Sequence, residues 1–193
     1  MGDLRYLTLT PDTAVDICDR IIPKVLGLQG SLIASRDSTV QSSGFLISAF
    51  EPKELLNLVR SDGMLVCAIS EHDLMGFCLT TPITEFTDLF ENSDSGKFVA
   101  QEPLRLTPAN HRYLYQIAVT QSQAGKGTGK ALLDFAKKKS TGVTLLTDVL
   151  TSPIENAASR RFFRKNGFKP VGELTLQSYR NFGELRSEVL LCQ

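Results

Sequence analysis

Residues Tyr113 to Lys130 read YLYQIAVTQSQAGKGTGK, and the fold is organised around this stretch. Tyr113–Val119 is a short apolar run with aromatic and β-branched residues, which is typical of a buried strand. Three glycines then alternate with polar residues between positions 125 and 129, and apolar residues recur at helical spacing from Ala131 onward. The stretch therefore predicts a strand, a glycine-rich loop and the start of a helix.

The glycine-rich loop has the chemistry of an anion site. Glycine lets the backbone approach a pyrophosphate closely, and the free N–H groups at a helix start carry partial positive charge. A flexible turn ahead of an ordinary helix would have the same composition, and anion binding is the preferred interpretation. The residues expected to hold the phosphates are Gly125, Lys126, Gly127, Thr128, Gly129 and Lys130.

Two common nucleotide-binding loops fit this sequence poorly. The dinucleotide fingerprint GxGxxG needs a glycine where this chain, counted from Gly125, has a lysine. In the triphosphate pattern GxxxxGK[ST], the GK pair would fall at 129–130, but the first glycine falls on Ala124 and the hydroxyl residue on Ala131. A P-loop-like nucleotide binder that uses Asp148 as a metal-side acid is therefore the weakest of the readings.

The same stretch resembles the acetyl-CoA-binding motif of the GNAT superfamily of N-acetyltransferases, in which a strand leads into [RQ]xxGxG[GA] and a helix. Gly127 and Gly129 match the two defining glycines, whereas Ala124 stands where the motif has Arg or Gln. A second block, Asn156 to Phe168, is similar to the family's NxxAxxFYxxxGF segment, with Phe163 in place of the Tyr. Two blocks in the right order make the resemblance specific.

The resemblance implies an α/β (α+β) fold of the GNAT type. Its mixed, mostly antiparallel sheet would have about six to seven strands, splayed between strands four and five and flanked by about four helices. The chain would form a single acetyltransferase domain over 1–193. Within it, 1–60 would lie near the acceptor site, 64–140 would supply the central strands and the acetyl-CoA loop, and 142–193 the last strands and helix.

Composition narrows the class of protein. The 193 residues are 42% hydrophobic and 22% charged, which indicates one soluble domain with a substantial core. Twenty-one basic and 21 acidic residues cancel, so neither nucleic acid nor an anionic membrane is an expected partner. No apolar run has the length of a membrane span or signal peptide, and the four scattered cysteines form no CxxC pair. We expect a cytoplasmic protein without a metal site.

The rest of the chain predicts further elements at recognisable boundaries. A helix is expected to begin at Pro11, with Thr10 as its N-cap, and to present Val15 to the core. Pro82–Arg112 is predicted to be a long loop that is either functional or hides short elements, such as a helical turn and a short strand. The remaining predicted elements are strands at Arg5–Leu9, Met64–Ser70, Leu74–Thr81, Gly142–Val149, Val171–Ser178 and Glu184–Cys192, and helices at Glu51–Arg60 and from about Asn156.

What the resemblance implies about the cofactor site can be assigned residue by residue. Acetyl-CoA would lie between strands four and five, which on this chain are Tyr113–Val119 and Gly142–Val149. The pantetheine would be held by backbone groups of the strand end, and the two motifs would supply the rest of the site. Besides the glycine loop, the implied cofactor-binding residues are Ile117, Ala118, Val119, Ala124, Asn156 and Phe163.

Transfer to an amine needs a general base, because an alkyl ammonium has a pKa of about 10.4. Many family members use a glutamate on strand four. The nearest polar residue here is Gln116, which would orient a water, or else serve only as a hydrogen-bonding strand residue. The family's tyrosine protonates the departing thiolate, which Phe163 cannot do. Three hypotheses stay open: water protonates the thiolate, another residue such as Tyr179 substitutes as the acid, or the enzyme is slow.

Together these features predict an N-acetyltransferase that transfers an acetyl group directly from acetyl-CoA to a primary amine in a ternary complex. A non-catalytic or degenerate acyl-CoA-binding protein is the main alternative, because Ala124, Phe163 and the missing glutamate depart from the motifs. The expected partners are acetyl-CoA and a small-molecule or peptide amine. A homodimer would fit the usual behaviour of soluble oligomers.

Overall fold

The computed structural model describes residues 4–33, 44–91, 96–179 and 183–192 of the chain. The region expected near the acceptor site therefore includes a segment, 34–43, that lies outside the described residues. The elements in chain order are β1 (Arg5–Leu9), α1 (Val15–Leu32), α2 (Pro52–Arg60), β2 (Met64–Ser70), β3 (Asp73–Pro82), α3 (Thr84–Glu91), β4 (Gly96–Ala100), β5 (His111–Val119), a 3-10 turn (Gln121–Gln123), α4 (Thr128–Lys139), β6 (Thr144–Ser152), α5 (Ala157–Lys165), β7 (Phe168–Tyr179) and β8 (Gly183–Cys192).

The strands form one mixed sheet in the order β1-β2-β3-β5-β6-β8-β7-β4. The predicted α/β class and mostly antiparallel sheet are confirmed, but the element counts were too low. The described part of the chain has eight strands and five α-helices. The additional elements, α3 and β4, both come from the predicted loop at 82–112. β4 is ordered by antiparallel pairing with β7, in which Phe98 lies opposite Leu174.

The start of α1 differs from the prediction. The Thr13 N–H donates to the Thr10 carbonyl at 3.0 Å, and the Thr10 N–H donates to Thr13 Oγ1 at 2.8 Å. These two bonds close a separate turn that uses Thr10 and Pro11, so the helix begins only at Val15 and runs through Pro23 to Leu32. Val15 was predicted to be in the core, but it is 57% exposed.

The chain divides into two compact units, and the predicted single-domain organisation stays a prediction. The first unit comprises Met1–Ile33, Leu46–Thr81 and Leu114–Thr141. Its core is formed by apolar faces of β1–β3, β5, α1 and α2, including Leu9, Val25, Leu55, Leu65, Phe77 and Leu79, all essentially fully buried. Each such side chain contributes roughly 1.5–3 kcal/mol through burial, which explains why this part of the sequence pattern predicts its elements well.

The second unit comprises Ala34–Phe45, Pro82–Tyr113 and Gly142–Gln193. Within it β7 and β8 pair as a long antiparallel ribbon, and β6 pairs with β8. The parallel partner of β6 is the start of β5, over three residue pairs from His111↔Thr144 to Tyr113↔Leu146. The predicted splay of the sheet beyond this short pairing stays a prediction.

Helix α5 is fixed within the second unit by charge on one face and aromatic rings on another. Glu188 of β8 accepts from Arg160 at 3.2 Å and from Arg164 at 2.6 Å, and its side chain is only 15% exposed. The Phe163 ring packs against the Phe162 and Phe168 rings, with centroids 5.2 and 5.0 Å away. These contacts hold side chains of the second motif, Asn156 to Phe168, in ion pairs with β8 and in an aromatic cluster.

Candidate functional site

The loop after β5 adopts the conformation that its glycines permit. A 3-10 turn at Gln121–Gln123 is followed by a tight turn in which the Lys126 N–H donates to the Gln123 carbonyl at 3.2 Å. Gly125 has φ +72° and Gly127 has φ +87°, in the left-handed region that favours glycine. A Cβ placed on either residue would meet no heavy atom within 4 Å, so the requirement for glycine is conformational and the space beside the loop is open.

Helix α4 begins directly after this turn with an uncompensated positive end. Its N-cap is Gly127, which supplies no side-chain cap, and its first turn contains no acidic residue. The first N–H groups of a helix have no intrahelical acceptor, and the macrodipole gives them partial positive charge. Donors of this kind, beside open space, fit the phosphates of a cofactor. Of the two lysines, Lys130 also pairs with Asp134 at 2.5 Å, with both side chains largely exposed.

The Gln123 side chain, which lies next to Ala124, braces the loop. Thr128 Oγ1 donates to Gln123 Oε1 at 2.8 Å, and Gln123 Nε2 approaches the Met75 sulfur at 3.8 Å. Thr128 is 3% exposed, so this bond fixes the first residue of α4 from inside the loop. Gln123 lies one place from the motif position occupied by Ala124, and this neighbouring amide was the signal that could have identified it.

The strand end preceding the loop is held firmly against β3. A Cβ on Gly76 would lie 2.7 Å from the Ala118 carbonyl oxygen, so only glycine permits this approach. The Thr120 N–H donates to the Met75 carbonyl at 2.9 Å. Ile117, Ala118 and Val119 therefore form a rigid edge at the entrance to the loop, and their contact with pantetheine stays a prediction.

Gln116 belongs to a buried amide network within the first unit. Its Oε1 accepts from Gln29 Nε2 at 2.5 Å, and its Nε2 donates to the Ser48 carbonyl at 3.1 Å. Gln29 Oε1 in turn accepts from the Phe50 N–H at 3.3 Å. Gln116 and Gln29 are 8% and 0% exposed, so their amides connect β5, α1 and the chain at 48–50. A water-orienting role for Gln116 stays a prediction, and the observed contacts are structural.

The two residues predicted from the second motif lie in the second unit. Asn156 caps α5 by accepting from the Ser159 N–H at 3.2 Å, and its Nδ2 donates to the Phe45 carbonyl at 2.9 Å. Phe163 is 4% exposed inside the aromatic cluster. Tyr179 is the last residue of β7, opposite Gly183 of β8. Their roles toward a cofactor or a leaving group stay predictions.

A cluster that the sequence did not identify joins β5, β6 and β8 within the second unit. The Tyr113 hydroxyl donates to Asp148 Oδ1, and Ser187 also hydrogen-bonds to this carboxyl group. Burial raises the pKa of Asp148, and the two hydroxyl bonds offset part of that rise. Sequence reasoning considered Asp148 only as a metal-side acid. The sequence signal for a buried, hydrogen-bonded carboxyl group was the single aspartate within the largely apolar run TLLTDVL.

Neither a metal-binding group nor a membrane-spanning helix is found among the residues that the structure describes. Among residues 4–33, 44–91, 96–179 and 183–192, no group of three or more His, Cys, Asp or Glu side chains is placed to hold a metal ion. No helix in those ranges combines the length and apolarity of a membrane span. Burial raises the pKa of the Cys67 and Cys78 thiols to about 12, as expected for thiols that pack as small hydrophobes.

Similar solved structures share this fold. Arabidopsis thaliana NAA60 in complex with a bisubstrate analogue is 16% identical with a TM-score of 0.62, over 98% of this chain and 97% of that one. The ribosomal-protein-S18-alanine N-acetyltransferase of Escherichia coli is 14% identical with a TM-score of 0.60, over 100% and 93%. PaiA N-acetyltransferase of Thermoplasma acidophilum, solved with coenzyme A, is 17% identical with a TM-score of 0.53, over 96% and 98%.

Sequence comparison identifies the family. No curated protein matches the chain significantly. The family model described as an acetyltransferase (GNAT) domain matches residues 65–170, a range that includes the strand end, the glycine loop and α5. Because this match covers more than half of the sequence, and the fold is that of GNAT N-acetyltransferases, the protein belongs to the GNAT acetyltransferase family.

Proposed function

We propose that the protein is an N-acetyltransferase that transfers an acetyl group from acetyl-CoA to a primary amine. The observation that carries the proposal is the glycine loop. Gly125 and Gly127 take left-handed conformations at the start of α4, which has neither a side-chain cap nor an acid in its first turn. The family match includes this loop, and NAA60 and PaiA have been solved with acetyl-CoA and coenzyme A respectively.

The proposed chemistry assigns a separate task to each part of the first unit. Amides of the loop and the first turn of α4 would hold the pyrophosphate, with Lys126 and Lys130 beside it. Backbone groups of Ile117 to Val119 would hold the pantetheine and polarise the thioester carbonyl. The amine nitrogen would form a bond to the carbonyl carbon while the carbon–sulfur bond breaks, and the nitrogen would lose its proton to a base.

The replacement of the family's tyrosine bears on how the leaving group would be protonated. Phe163 replaces the family's tyrosine, and its phenyl ring, buried among aromatic rings, carries no proton to donate. A thiol has a pKa of about 8.5, so the CoA thiolate is a tolerable leaving group and water can protonate it. Protonation by Tyr179 remains part of the proposal, and turnover unaffected by Tyr179→Phe would exclude it.

A non-catalytic acyl-CoA binder is the second candidate, and the observation that favours it is the same buried Phe163 together with Ala124. It would bind acetyl-CoA through the same loop but would transfer nothing.

The cytoplasmic location and the homodimer expected from the sequence stay predictions.

Parallel thermal denaturation with acetyl-CoA, free CoA and Mg-ATP tests the cofactor. Ligand at one hundred times its dissociation constant stabilises a protein by about 2.7 kcal/mol, which moves the midpoint of a domain this size by roughly 5–11 °C. A shift with acetyl-CoA but not with Mg-ATP is the expected result. A shift with Mg-ATP alone would contradict the acetyltransferase proposal and revive the nucleotide-binding alternative.

Acetyl transfer itself is tested with a panel of primary amines. The panel contains peptides with free N-termini, peptides with a single lysine, polyamines and amino sugars, because a fold does not define its acceptor. Release of CoA thiol and mass spectrometry of the acetylated amine are both recorded. Amine-dependent thiol release with a matching product is expected. Tight acetyl-CoA binding without product on any acceptor would favour the non-catalytic binder.

A further inference from the structure

One hydrogen bond between two side chains crosses the glycine loop from end to end. Thr128 Oγ1 donates to Gln123 Oε1 at 2.8 Å, so the bond joins the 3-10 turn to the first residue of α4. We call this bond the loop clamp. Thr128 is buried and Gln123 is half-buried, whereas residues 124–127 between them are exposed. The clamp therefore closes the loop from its buried side and leaves the other side open.

The clamp spans the two residues of the loop that have the most conformational freedom. Gly125 and Gly127 lie between its ends, and both take left-handed conformations. Glycine loses more conformational freedom on ordering than any other residue. A loop with two glycines would have to be ordered when a ligand binds, which lowers affinity, unless the free protein already holds it in place. A bond that ties the two ends together supplies this order in advance.

The Gln123 amide also anchors the loop to the sheet of the first unit. Its Nε2 lies 3.8 Å from the Met75 sulfur on β3, and the Met75 carbonyl accepts from the Thr120 N–H at 2.9 Å. One side chain therefore connects β3 to the start of α4, and all of these residues belong to the first unit. Ala124, at the neighbouring position, has only a methyl group and can make neither of the two amide contacts.

The Thr128 hydroxyl lies at a helix start but does not cap the helix. A threonine at an N-cap accepts from an N–H group of the first turn. The N-cap of α4 is Gly127, no side chain caps the helix, and the Thr128 hydroxyl donates to Gln123 instead. The first N–H groups of α4 are thus left for an anion, and the bond serves the loop rather than the helix.

We propose that the loop clamp positions the glycine loop for the phosphates of acetyl-CoA and thereby sets the affinity for this cofactor. The inference rests on the proposed function, which assigns the phosphates to this loop. Gln123 and Thr128 are positioning residues, because they act by holding the backbone donors in place. A loop with alanine at position 124 is still held, so this departure from the motif no longer favours a non-catalytic binder.

Isothermal titration calorimetry of the full chain with acetyl-CoA tests the clamp. The variants are Thr128→Val, Gln123→Ala, the two combined, and Thr128→Ser. Loss of one neutral hydrogen bond corresponds to roughly a 3- to 10-fold rise in the dissociation constant, which we expect for each of the first two variants. Because both break the same bond, the double variant should bind about as weakly as either single variant, whereas independent effects would multiply.

Thr128→Ser separates positioning from stability. It keeps the hydroxyl but removes a buried methyl group, so its thermal midpoint should fall while its dissociation constant stays that of wild type. A purely structural role of Thr128 would not separate the two. Thr141→Val is the matched control, because Thr141 Oγ1 donates to the Lys138 carbonyl at 2.7 Å at the other end of α4. It should leave the dissociation constant unchanged.

The outcomes distinguish the clamp from the proposed function. Gln123 is half-buried, so Gln123→Ala keeps the test decisive should Thr128→Val not fold. A wild type that binds acetyl-CoA, with an unchanged dissociation constant for Gln123→Ala, would overturn the clamp alone. A multiplied loss in the double variant, or a Thr128→Ser variant that binds as weakly as Thr128→Val, would also do so. A wild type that does not bind acetyl-CoA would overturn the clamp together with the proposed function.

Discussion

Gly127→Ala should weaken acetyl-CoA binding through the backbone of the loop alone. Gly127 has φ +87° and caps α4, and the space around its Cβ position is open, so the substitution introduces strain without a clash. The left-handed conformation costs a non-glycine residue about 1–2 kcal/mol, and the stiffer unfolded chain returns about 0.4–1 kcal/mol. The net loss of about 1 kcal/mol should lower the thermal midpoint by roughly 2–4 °C.

The effect on affinity should exceed the effect on stability. If relief of the strain turns even one loop amide away from the phosphates, a charge-assisted hydrogen bond worth about 1.5–3 kcal/mol is lost. The dissociation constant for acetyl-CoA should then rise roughly 10- to 100-fold. Isothermal titration calorimetry at a temperature where both proteins are folded measures this change.

Two glycine variants serve as controls for this experiment. Gly142→Ala introduces the same strain, at φ +85° with open space, at a position outside the loop. It should lower the midpoint by a similar amount and leave affinity unchanged. Gly30→Ala lies inside α1 with nothing near its Cβ position and should stabilise by about 0.5–1 kcal/mol. An unchanged dissociation constant for Gly127→Ala, with its midpoint lowered, would refute the assignment of the loop to the phosphates.

Three further predictions follow from buried groups. Burial raises the thiol pKa of Cys67 and Cys78 to about 12, so both should resist iodoacetamide at pH 8 in the native protein and react after denaturation. The partly exposed Cys192 should react in both states. Labelling of native Cys67, measured by mass spectrometry, would contradict the burial. Gln116→Leu should destabilise by about 1–3 kcal/mol in a denaturant titration, because Gln29 Nε2 and the Ser48 carbonyl lose their partner; an unchanged midpoint would show that the network is not stabilising. Phe163→Tyr should lower the thermal midpoint, because the added hydroxyl is desolvated among aromatic rings at a cost of about 1–3 kcal/mol. A rise in kcat with no loss of stability would contradict this and would indicate that a tyrosine here can act as the general acid, as it does in the family.

The site was predicted best where it depends on local sequence. The left-handed glycines, the strand end and the helix start are consecutive in the chain, so residues 113–130 contain nearly all the information that positions them. The predicted count of strands, about six to seven, was slightly too low for the opposite reason. β4 is ordered by pairing with β7, whose residues lie far away in the sequence, and nothing within 96–100 itself requires that pairing.

The sequence by itself predicted the glycine loop from the spacing of its residues, and it predicted the class of fold and the family through the resemblance of two motifs to the GNAT superfamily. Only the tertiary structure decided which polar side chains share a burial site. It brought Asp148 to Tyr113, 35 positions away, and Gln116 to Gln29, 87 positions away. Both pairs depend on strand and helix packing across the fold, and the cost of burying polar groups without partners is what holds each pair together.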